Sequence, residues 1–382
     1  MLKDPKNEIT ITHGAINHVQ NILNRIQVKS VFLVTHTIAY KNSGAEAKLE
    51  PFLADNHVVR FTDFEPNPKL RDAERALELL QANPCDTVMA VGGGSAIDMA
   101  KLVCAFSAQQ ATPEMVIARL PHLKPIHLPL IAIPTTAGTG SEATHFAVLY
   151  ADDKKYSIAH PSLLPDFAIV DPKLTYDLPS GLTAVTGLDA LCQGMESLWS
   201  VQSSEASREF ARKAVRLAWN NLETAVHQPT PESRFEMCQA SHLAGCAINI
   251  SKTTAPHAIS YAITSRYGIP HGHAVALTIG PVLIYNSQVS RLDIGDSRGV
   301  SHVRGIIKEI LDLLDCRTPE EACQKICRLM ESIGCPSQLR DLNISNTELR
   351  KHIADNVNSE RLENNPRTLG KEQVNQLLES IV

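Results

Sequence analysis

Thr87-Val88-Met89-Ala90-Val91-Gly92-Gly93-Gly94-Ser95-Ala96-Ile97-Asp98-Met99-Ala100-Lys101 is the stretch that decides the fold. A β-rich apolar run ends at three glycines, and the residues after them read as a helix. Glycines let the backbone approach a ligand closely, and the free N–H groups at a helix N-terminus favour an anion such as a pyrophosphate. Gly92, Gly93, Gly94 and Ser95 are therefore candidate phosphate contacts. The competing reading is a tight βα turn that needs glycine for steric reasons alone, and the pattern is neither GxGxxG nor a P-loop. The strand before and the helix after favour the phosphate reading.

Outward from this loop, Ser30-Val31-Phe32-Leu33-Val34, Leu130-Ile131-Ala132-Ile133-Pro134 and Phe167-Ala168-Ile169-Val170-Asp171 read as further buried strands. Asp72 to Leu80 carries apolar residues at helical spacing. Strand–helix alternation with apolar strands implies parallel βαβ units, which bind ligands at the carboxyl ends of their strands. Pro134-Thr135-Thr136-Ala137-Gly138-Thr139-Gly140-Ser141-Glu142 follows one such strand. Its hydroxyls and glycines either cradle a phosphate or ribose, or simply cap the next helix. After Leu178-Pro179-Ser180-Gly181 the strand-like runs nearly vanish, and long amphipathic stretches such as Ser204 to Val226 and His302 to Leu314 take over. The expected fold is an α/β domain over 1–180 followed by an all-α domain over 181–382.

The chain has 382 residues, 43% of them hydrophobic, which is enough for a full core in two ordinary domains. A net charge of −5 with no long basic run argues against nucleic acid as the partner. Mean hydropathy is −0.09, and no apolar run is long enough to span a bilayer. The N-terminal Met-Leu-Lys-Asp-Pro-Lys-Asn-Glu lacks the apolar core of a secretory signal. Nine cysteines, without a CxxC pair, fit neither a disulfide framework nor a zinc ribbon. A reduced, cytoplasmic protein is the expectation.

Asp189 and Gln193 are four residues apart, so a helix projects both from one face. His257 and His271 come much later. Carboxylate plus imidazole suits zinc or ferrous iron, and the absence of thiolates disfavours a structural zinc site. Each histidine alone reads equally as a cap or a core residue. Composition does not gather the four groups into one site.

A family resemblance does gather them. The sequence resembles the iron-containing (group III) alcohol dehydrogenases along nearly its whole length. The resemblance rests on Pro66-Asn67-Pro68, the Gly92–Ser95 loop with Asp98 and Lys101, and Pro134–Glu142. It continues through Leu164-Pro165-Asp166, Asp171-Pro172, Gly187-Leu188-Asp189-Ala190-Leu191 and Pro270-His271-Gly272. It implies an N-terminal dinucleotide-binding α/β domain and an all-α metal-binding domain, the architecture shared with dehydroquinate synthase. It also implies NAD(P)H and a divalent metal (Fe2+ or Zn2+) as cofactors, and a homodimer or larger homo-oligomer. The implied cofactor contacts are Thr35, His36, Pro66, Asn67, Gly92, Gly93, Gly94, Ser95, Asp98, Thr135, Thr136, Thr139 and Ser141. The implied metal ligands are Asp189, His257 and His271.

The sequence departs from the family pattern at three places. Family members carry a histidine four residues after the aspartate ligand, where this chain has Gln193. An amide is neutral like an imidazole but a harder, weaker ligand, so three firm ligands are expected, with Gln193 loosely bound or behind them. Relatives that prefer NAD usually have an aspartate at the end of the second strand, where this chain reads Val34-Thr35-His36-Thr37. Loss of the carboxylate that repels a 2′-phosphate leads to the expectation that NADPH is accepted. Many relatives carry a histidine four residues after the first histidine ligand, where this chain has Tyr261.

The activity implied is reversible hydride transfer between nicotinamide and a small primary alcohol or aldehyde, with the metal polarising the carbonyl oxygen. His273 and Tyr261 are the candidate proton helpers. Asn249–His257 and Ser265–His271 resemble a subgroup that reduces phosphonoacetaldehyde to 2-hydroxyethylphosphonate. Lys252 and Arg266 flank the two histidine ligands in sequence and would suit an anionic substrate. His145 completes the candidate substrate residues. Two other readings stand beside this one: a dehydroquinate synthase-like lyase in which NAD cycles within a turnover, and a catalytically silent NAD- or metal-binding module.

Overall fold

Short runs of β-branched and apolar residues make eight strands: β1 (Glu8–Ile11), β2 (Ser30–Thr35), β3 (His57–Phe61), β4 (Thr87–Gly92), β5 (Leu130–Pro134), β6 (Phe146–Ala151), β7 (Lys154–Ala159) and β8 (Phe167–Val170). This is a computed structural model, and it describes residues 7–109, 112–118, 123–151, 154–342, 344, 357 and 359–382. The chain divides into two compact units, Met1–Leu178 and Pro179–Val382.

In the first unit, six strands form one parallel sheet in the order β1-β8-β5-β4-β2-β3, and β6 and β7 form a separate antiparallel pair. The helices are α1 (His18–Arg25), α2 (Thr37–Asn42), α3 (Ala45–Leu53), α4 (Leu70–Ala82), α5 (Gly94–Ser107) and α6 (Pro113–Ala118). Alternate residues of each central strand enter opposite cores. Phe32, Val34, Val88, Ala90, Leu130 and Ala132 pack with α4 and α5, whereas Val31, Leu33, Met89, Val91, Ile131 and Ile133 pack with α1 and α3. A sheet covered on both faces explains why its strands read as continuous apolar runs.

The chain leaves β2 toward β3 on one side and leaves β4 toward β5 on the other. The strand order therefore reverses between β2 and β4, where a ligand crevice opens at the carboxyl ends of parallel strands.

The second unit is helical in all its described elements. They are α7 (Ser180–Trp199), α8 (Glu205–His227), α9 (Pro231–Ser251), α10 (Ala255–Tyr267), α11 (His271–Ser287), α12 (Val300–Leu313), α13 (Pro319–Ser332), α14 (Ser359–Glu363) and α15 (Lys371–Glu379). Ser204 and Thr230 cap α8 and α9 with reciprocal side-chain bonds to Ser207 and Ser233. No helix among the described residues is long and apolar enough to cross a membrane.

Lys101, on α5, is fully buried. Its Nζ lies 2.6 Å from the Ser141 carbonyl, 2.8 Å from the Thr144 carbonyl and 3.0 Å from the Phe146 carbonyl, with the hydroxyls of Ser141 and Thr144 also in reach. Burial pushes its ammonium down to about 8, against the upward pull of Asp98 and Glu142, so it keeps its charge at neutral pH. One cation thus fastens the segment after β5 to the helix after β4. Lys101→Met takes a charged donor from the Ser141, Thr144 and Phe146 carbonyls and should cost about 3 kcal/mol, read as a lower urea midpoint. A loss no larger than that of an exposed ion pair, about 1 kcal/mol or less, would show that the segment holds itself.

Candidate active site

The glycine loop of the first unit is crowded from outside. A Cβ on Gly94 would lie 2.7 Å from Thr139 Cγ2, and one on Gly93 would lie 3.3 Å from the Thr136 side chain. The register pairs Gly92 with Pro134, and the Thr135 N–H donates to the Gly92 carbonyl at 2.9 Å, so the two loops leave neighbouring strand ends together. The Asn67 N–H donates to Ser95 Oγ at 3.1 Å, which brings in the exposed Pro66-Asn67 turn. Three loops thus converge at the N-terminus of α5, a helix long enough to offer a dipole.

Several expected cofactor contacts are engaged in holding this cradle. The buried Thr35 hydroxyl donates to the Val91 carbonyl at 2.6 Å and ties β2 to β4. The Ser141 hydroxyl donates to Asp98, whose other oxygen accepts the Val148 N–H at 3.0 Å. Burial pushes the Asp98 carboxyl up against the opposing pull of Lys101 and these donors. His36, at the end of β2, lays its ring 4.0 Å from that of Phe64, and burial pushes its imidazole down. His145 follows directly on Thr144, one of the residues Lys101 holds; its ring meets Phe146 edge-on at 5.9 Å.

The second unit holds the titratable cluster. Asp189 on α7, His257 on α10 and His271 at the start of α11 place their ligand atoms within 4.8 Å of one another. Two tetrahedral ligands, each about 2.1 Å from a metal, stand about 3.4 Å apart. His257 Nε2 and Asp189 Oδ1 are separated by 3.4 Å. Asp189 Oδ1 and Gln193 Oε1 are both buried and receive no hydrogen bond. Two buried acceptors left open beside two imidazoles are what a cation would satisfy, so these residues fit a divalent metal ion.

The electrostatics agree. Burial pushes the Asp189 carboxyl up, but His257, His271 and the Gln193 amide outweigh burial and hold it below the usual carboxylate range. For His257 burial pushes down, but Glu196 and Asp189 prevail and hold it up at about 10. An imidazole between two buried carboxylates calls for positive charge, either a proton or a metal ion.

Glu196 is the residue the sequence motifs did not single out. It is fully buried and binds His257 Nδ1, the nitrogen facing away from Asp189. Its signal was its spacing, because Asp189, Gln193 and Glu196 fall at i, i+4 and i+7 on α7, one stripe of a helix.

The two candidate proton helpers separate. The Tyr261 ring lies 6.1 Å from that of His271 at 22°, beside the cluster. His273 is two residues past His271, about 200° around the helix. Its Nε2 bonds the Pro336 carbonyl at 2.7 Å, and burial pushes its imidazole down, so its hydrogen bond is spent away from the cluster.

The expected cations separate as well. Lys252 is half-buried in the turn between α9 and α10, five residues before His257. Arg266 is exposed near the C-terminus of α10, its guanidinium 5.9 Å over the Tyr267 ring. It lies nine residues after His257, hence about 13 Å along the axis and about 180° around it. Arg266 therefore stands exposed on the side of α10 away from His257. Adjacency to His271 in sequence had suggested the site, and the helix carries it to the opposite face.

A phosphate cradle in the first unit and an Asp–His–His cluster in the second are the parts of an enzyme that uses a nucleotide cofactor and a metal ion. The family model described as "Iron-containing alcohol dehydrogenase" matches residues 6–172, and "Fe-containing alcohol dehydrogenase family, C-terminal" matches residues 183–382. The chain belongs to the iron-containing alcohol dehydrogenase family and is an oxidoreductase. Phosphonoacetaldehyde reductase of Streptomyces viridochromogenes is 34% identical over 321 residues, 81% of this chain and 80% of that protein. Long-chain-alcohol dehydrogenase 1 of Geobacillus thermodenitrificans is 30% identical over 353 residues, 91% of this chain and 88% of that protein. The crystal structure of sulfoacetaldehyde reductase from Bifidobacterium kashiwanohense in complex with NAD+ superposes with a TM-score of 0.86 and 31% identity, covering 100% of this chain and 99% of that one.

Gly272 decides whether the cluster can assemble. A Cβ there would lie 1.9 Å from the Val185 carbonyl oxygen and 2.8 Å from Asp189 Cβ. No side chain fits, so α11 can bring His271 beside Asp189 only because residue 272 has none. Gly272→Ala should keep the helical circular dichroism while the purified protein loses its bound metal. Undiminished metal content in that variant would show that α7 and α11 need not meet so closely.

Proposed function

We propose that this protein is a metal-dependent, NAD(P)H-linked reductase of a small aldehyde, working reversibly on the corresponding primary alcohol. The observation that carries the proposal is the Asp189–His257–His271 cluster, its first two members buried, with the open oxygens of Asp189 and Gln193 beside it. Asp189, His257 and His271 would hold a divalent metal, which when bound would supply Lewis-acid polarisation of a carbonyl oxygen, and the cradle at Gly92–Ser95 would hold a nicotinamide dinucleotide, which would supply the hydride. Asp189 remains ionised and the imidazoles of His257 and His271 supply neutral nitrogen donors. The convergent loops at Gly92–Ser95, Thr136 and Thr139 offer backbone N–H groups to the pyrophosphate. The proton for the product oxygen we assign to Tyr261, a reading supported by its ring lying 6.1 Å from that of His271.

The substrate we propose is phosphonoacetaldehyde, reduced to 2-hydroxyethylphosphonate. Phosphonoacetaldehyde and sulfoacetaldehyde, after which two relatives are named, are two-carbon aldehydes that end in a tetrahedral oxyanion. Lys252 is the cation we assign to that group. Its backbone sits at φ 57°, ψ 179°, a conformation that only glycine adopts without strain. The turn around it is pinned by buried bonds: Ser200 Oγ and Asn364 Nδ2 both donate to the Ser251 carbonyl, and Asn364 Nδ2 also donates to that of Thr253. Strain held in place by its surroundings is a feature of ligand clamps.

NADH and NADPH oxidation should be followed with protein reconstituted with ferrous iron or zinc, giving it phosphonoacetaldehyde, sulfoacetaldehyde or propanal. Turnover confined to phosphonoacetaldehyde supports the proposal. Preference for sulfoacetaldehyde moves the oxyanion, and preference for propanal discards it. Lys252→Ala should raise KM about 10- to 100-fold for phosphonoacetaldehyde and leave propanal unaffected, as for loss of one charge-assisted bond. Arg266→Ala should change neither. Equal effects of Lys252→Ala on both aldehydes would refute the clamp.

Because His36 stands where a repelling carboxylate would, we propose that NADPH is accepted alongside NADH. His36→Asp should then raise KM for NADPH well above that for NADH, and a wild-type enzyme blind to NADPH would end the idea.

A further inference from the structure

The two oxygens of Glu196 carry unequal loads. Oε1 accepts the Thr254 N–H at 2.8 Å, the Thr254 hydroxyl at 2.9 Å and the His257 N–H at 3.4 Å. Oε2 meets His257 Nδ1. Donor chemistry fixes the direction of each bond. The Trp199 indole can only donate, and it does so to Thr254 Oγ1 at 2.9 Å, so the proton on that hydroxyl is free to point at Glu196. Three donors therefore converge on Oε1. The carboxylate also does the capping that the Thr254 side chain does not, at the N-terminus of α10.

We infer that Glu196 is the positioning residue of the metal centre: its second oxygen holds the proton of His257 on Nδ1 and so keeps the Nε2 lone pair turned toward Asp189. A carboxylate only accepts, so Nδ1 must donate to it. Nε2 is then free to serve as a ligand in the direction of Asp189 Oδ1, 3.4 Å away. This role rests on the metal-dependent function proposed for the cluster, and a carboxylate behind a ligating imidazole is a general way to fix its tautomer and orientation.

The unequal loading makes Glu196→Gln a directed test. The single carbonyl oxygen of glutamine must stay where three donors meet, since an NH2 group there would face only other donors. The amide NH2 then points at His257 Nδ1, which has to accept. The ring proton moves to Nε2 and occupies the place of the metal. The cap of α10 survives and the ligand does not. Glu196→Ala, in contrast, removes both.

Metal-stripped wild type, Glu196→Gln and Glu196→Ala are titrated with Zn2+ against a chelator of known affinity, and each metal-free protein is melted. In Glu196→Gln we expect zinc affinity to fall 10- to 100-fold or more, with a metal-free Tm below that of wild type, because the pair with His257 loses its charge, but above that of Glu196→Ala, because the cap of α10 survives. In Glu196→Ala both should fall. Wild-type zinc affinity in Glu196→Gln overturns the inference. So does a Tm loss equal to that of Glu196→Ala, because Glu196 would then serve the fold alone. Failure of wild type itself to bind zinc or ferrous iron sinks the metal reading along with it, and differs visibly from the other two outcomes.

Discussion

Negative charge buried on one face of α7 is the constraint from which the second unit is built. Asp189 and Glu196 sit two turns apart among packed helices, where an unmatched carboxylate is costly. The chain answers with partners from elsewhere: His257, the Thr254 backbone and hydroxyl, and His271. These partners fix where α10 begins and how near α11 comes. Glycine enforces the same closeness. Gly187 and Gly194 leave room on α7 for Leu222 and Val215 of α8, and Gly272 leaves room for α7 itself. The residues that hold the fold and those that prepare the site are, in this unit, largely the same.

The first unit solves a different problem with a similar economy of means. Loops at the carboxyl ends of parallel strands have no sheet partner, so something must hold them without filling the space a ligand needs. Lys101 does this from beneath, by reaching three carbonyls of the Ser141–Phe146 segment from α5. The glycines act from above by keeping side chains out. A rigid cradle loses little conformational freedom when a ligand arrives, which is how preorganisation raises affinity.

Much of this is legible in the amino-acid sequence. Apolar runs at Ser30, Thr87, Leu130 and Phe167 became strands because their length and β-branched content suit a doubly covered sheet. The hairpin of β6 and β7 escaped notice, although Phe146–Ala151 is an apolar run like the other strands; its partner Lys154–Ala159 mixes polar and apolar residues and carries a weaker strand signal. Gathering Asp189, His257 and His271 required the family resemblance, because residues 68 and 82 positions apart carry no local sign of meeting. Glu196 was overlooked because a lone acid in an amphipathic stretch reads as solvated. Arg266 and His273 were read by nearness in sequence, whereas a helix sorts residues by angle: Arg266 is exposed on α10 and His273 bonds the Pro336 carbonyl.

Gln193 gives the metal site a property that a third histidine would lack. An amide has a donor at one end and an acceptor at the other, and a half turn of its terminal bond exchanges them. With its NH2 toward Asp189 it steadies the carboxylate; with its oxygen turned inward it faces a cation. Neither orientation changes the net charge of the cluster, and neither requires α7 to move. An amide at residue 193 thus offers a donor or an acceptor to the same pocket through rotation about one terminal bond.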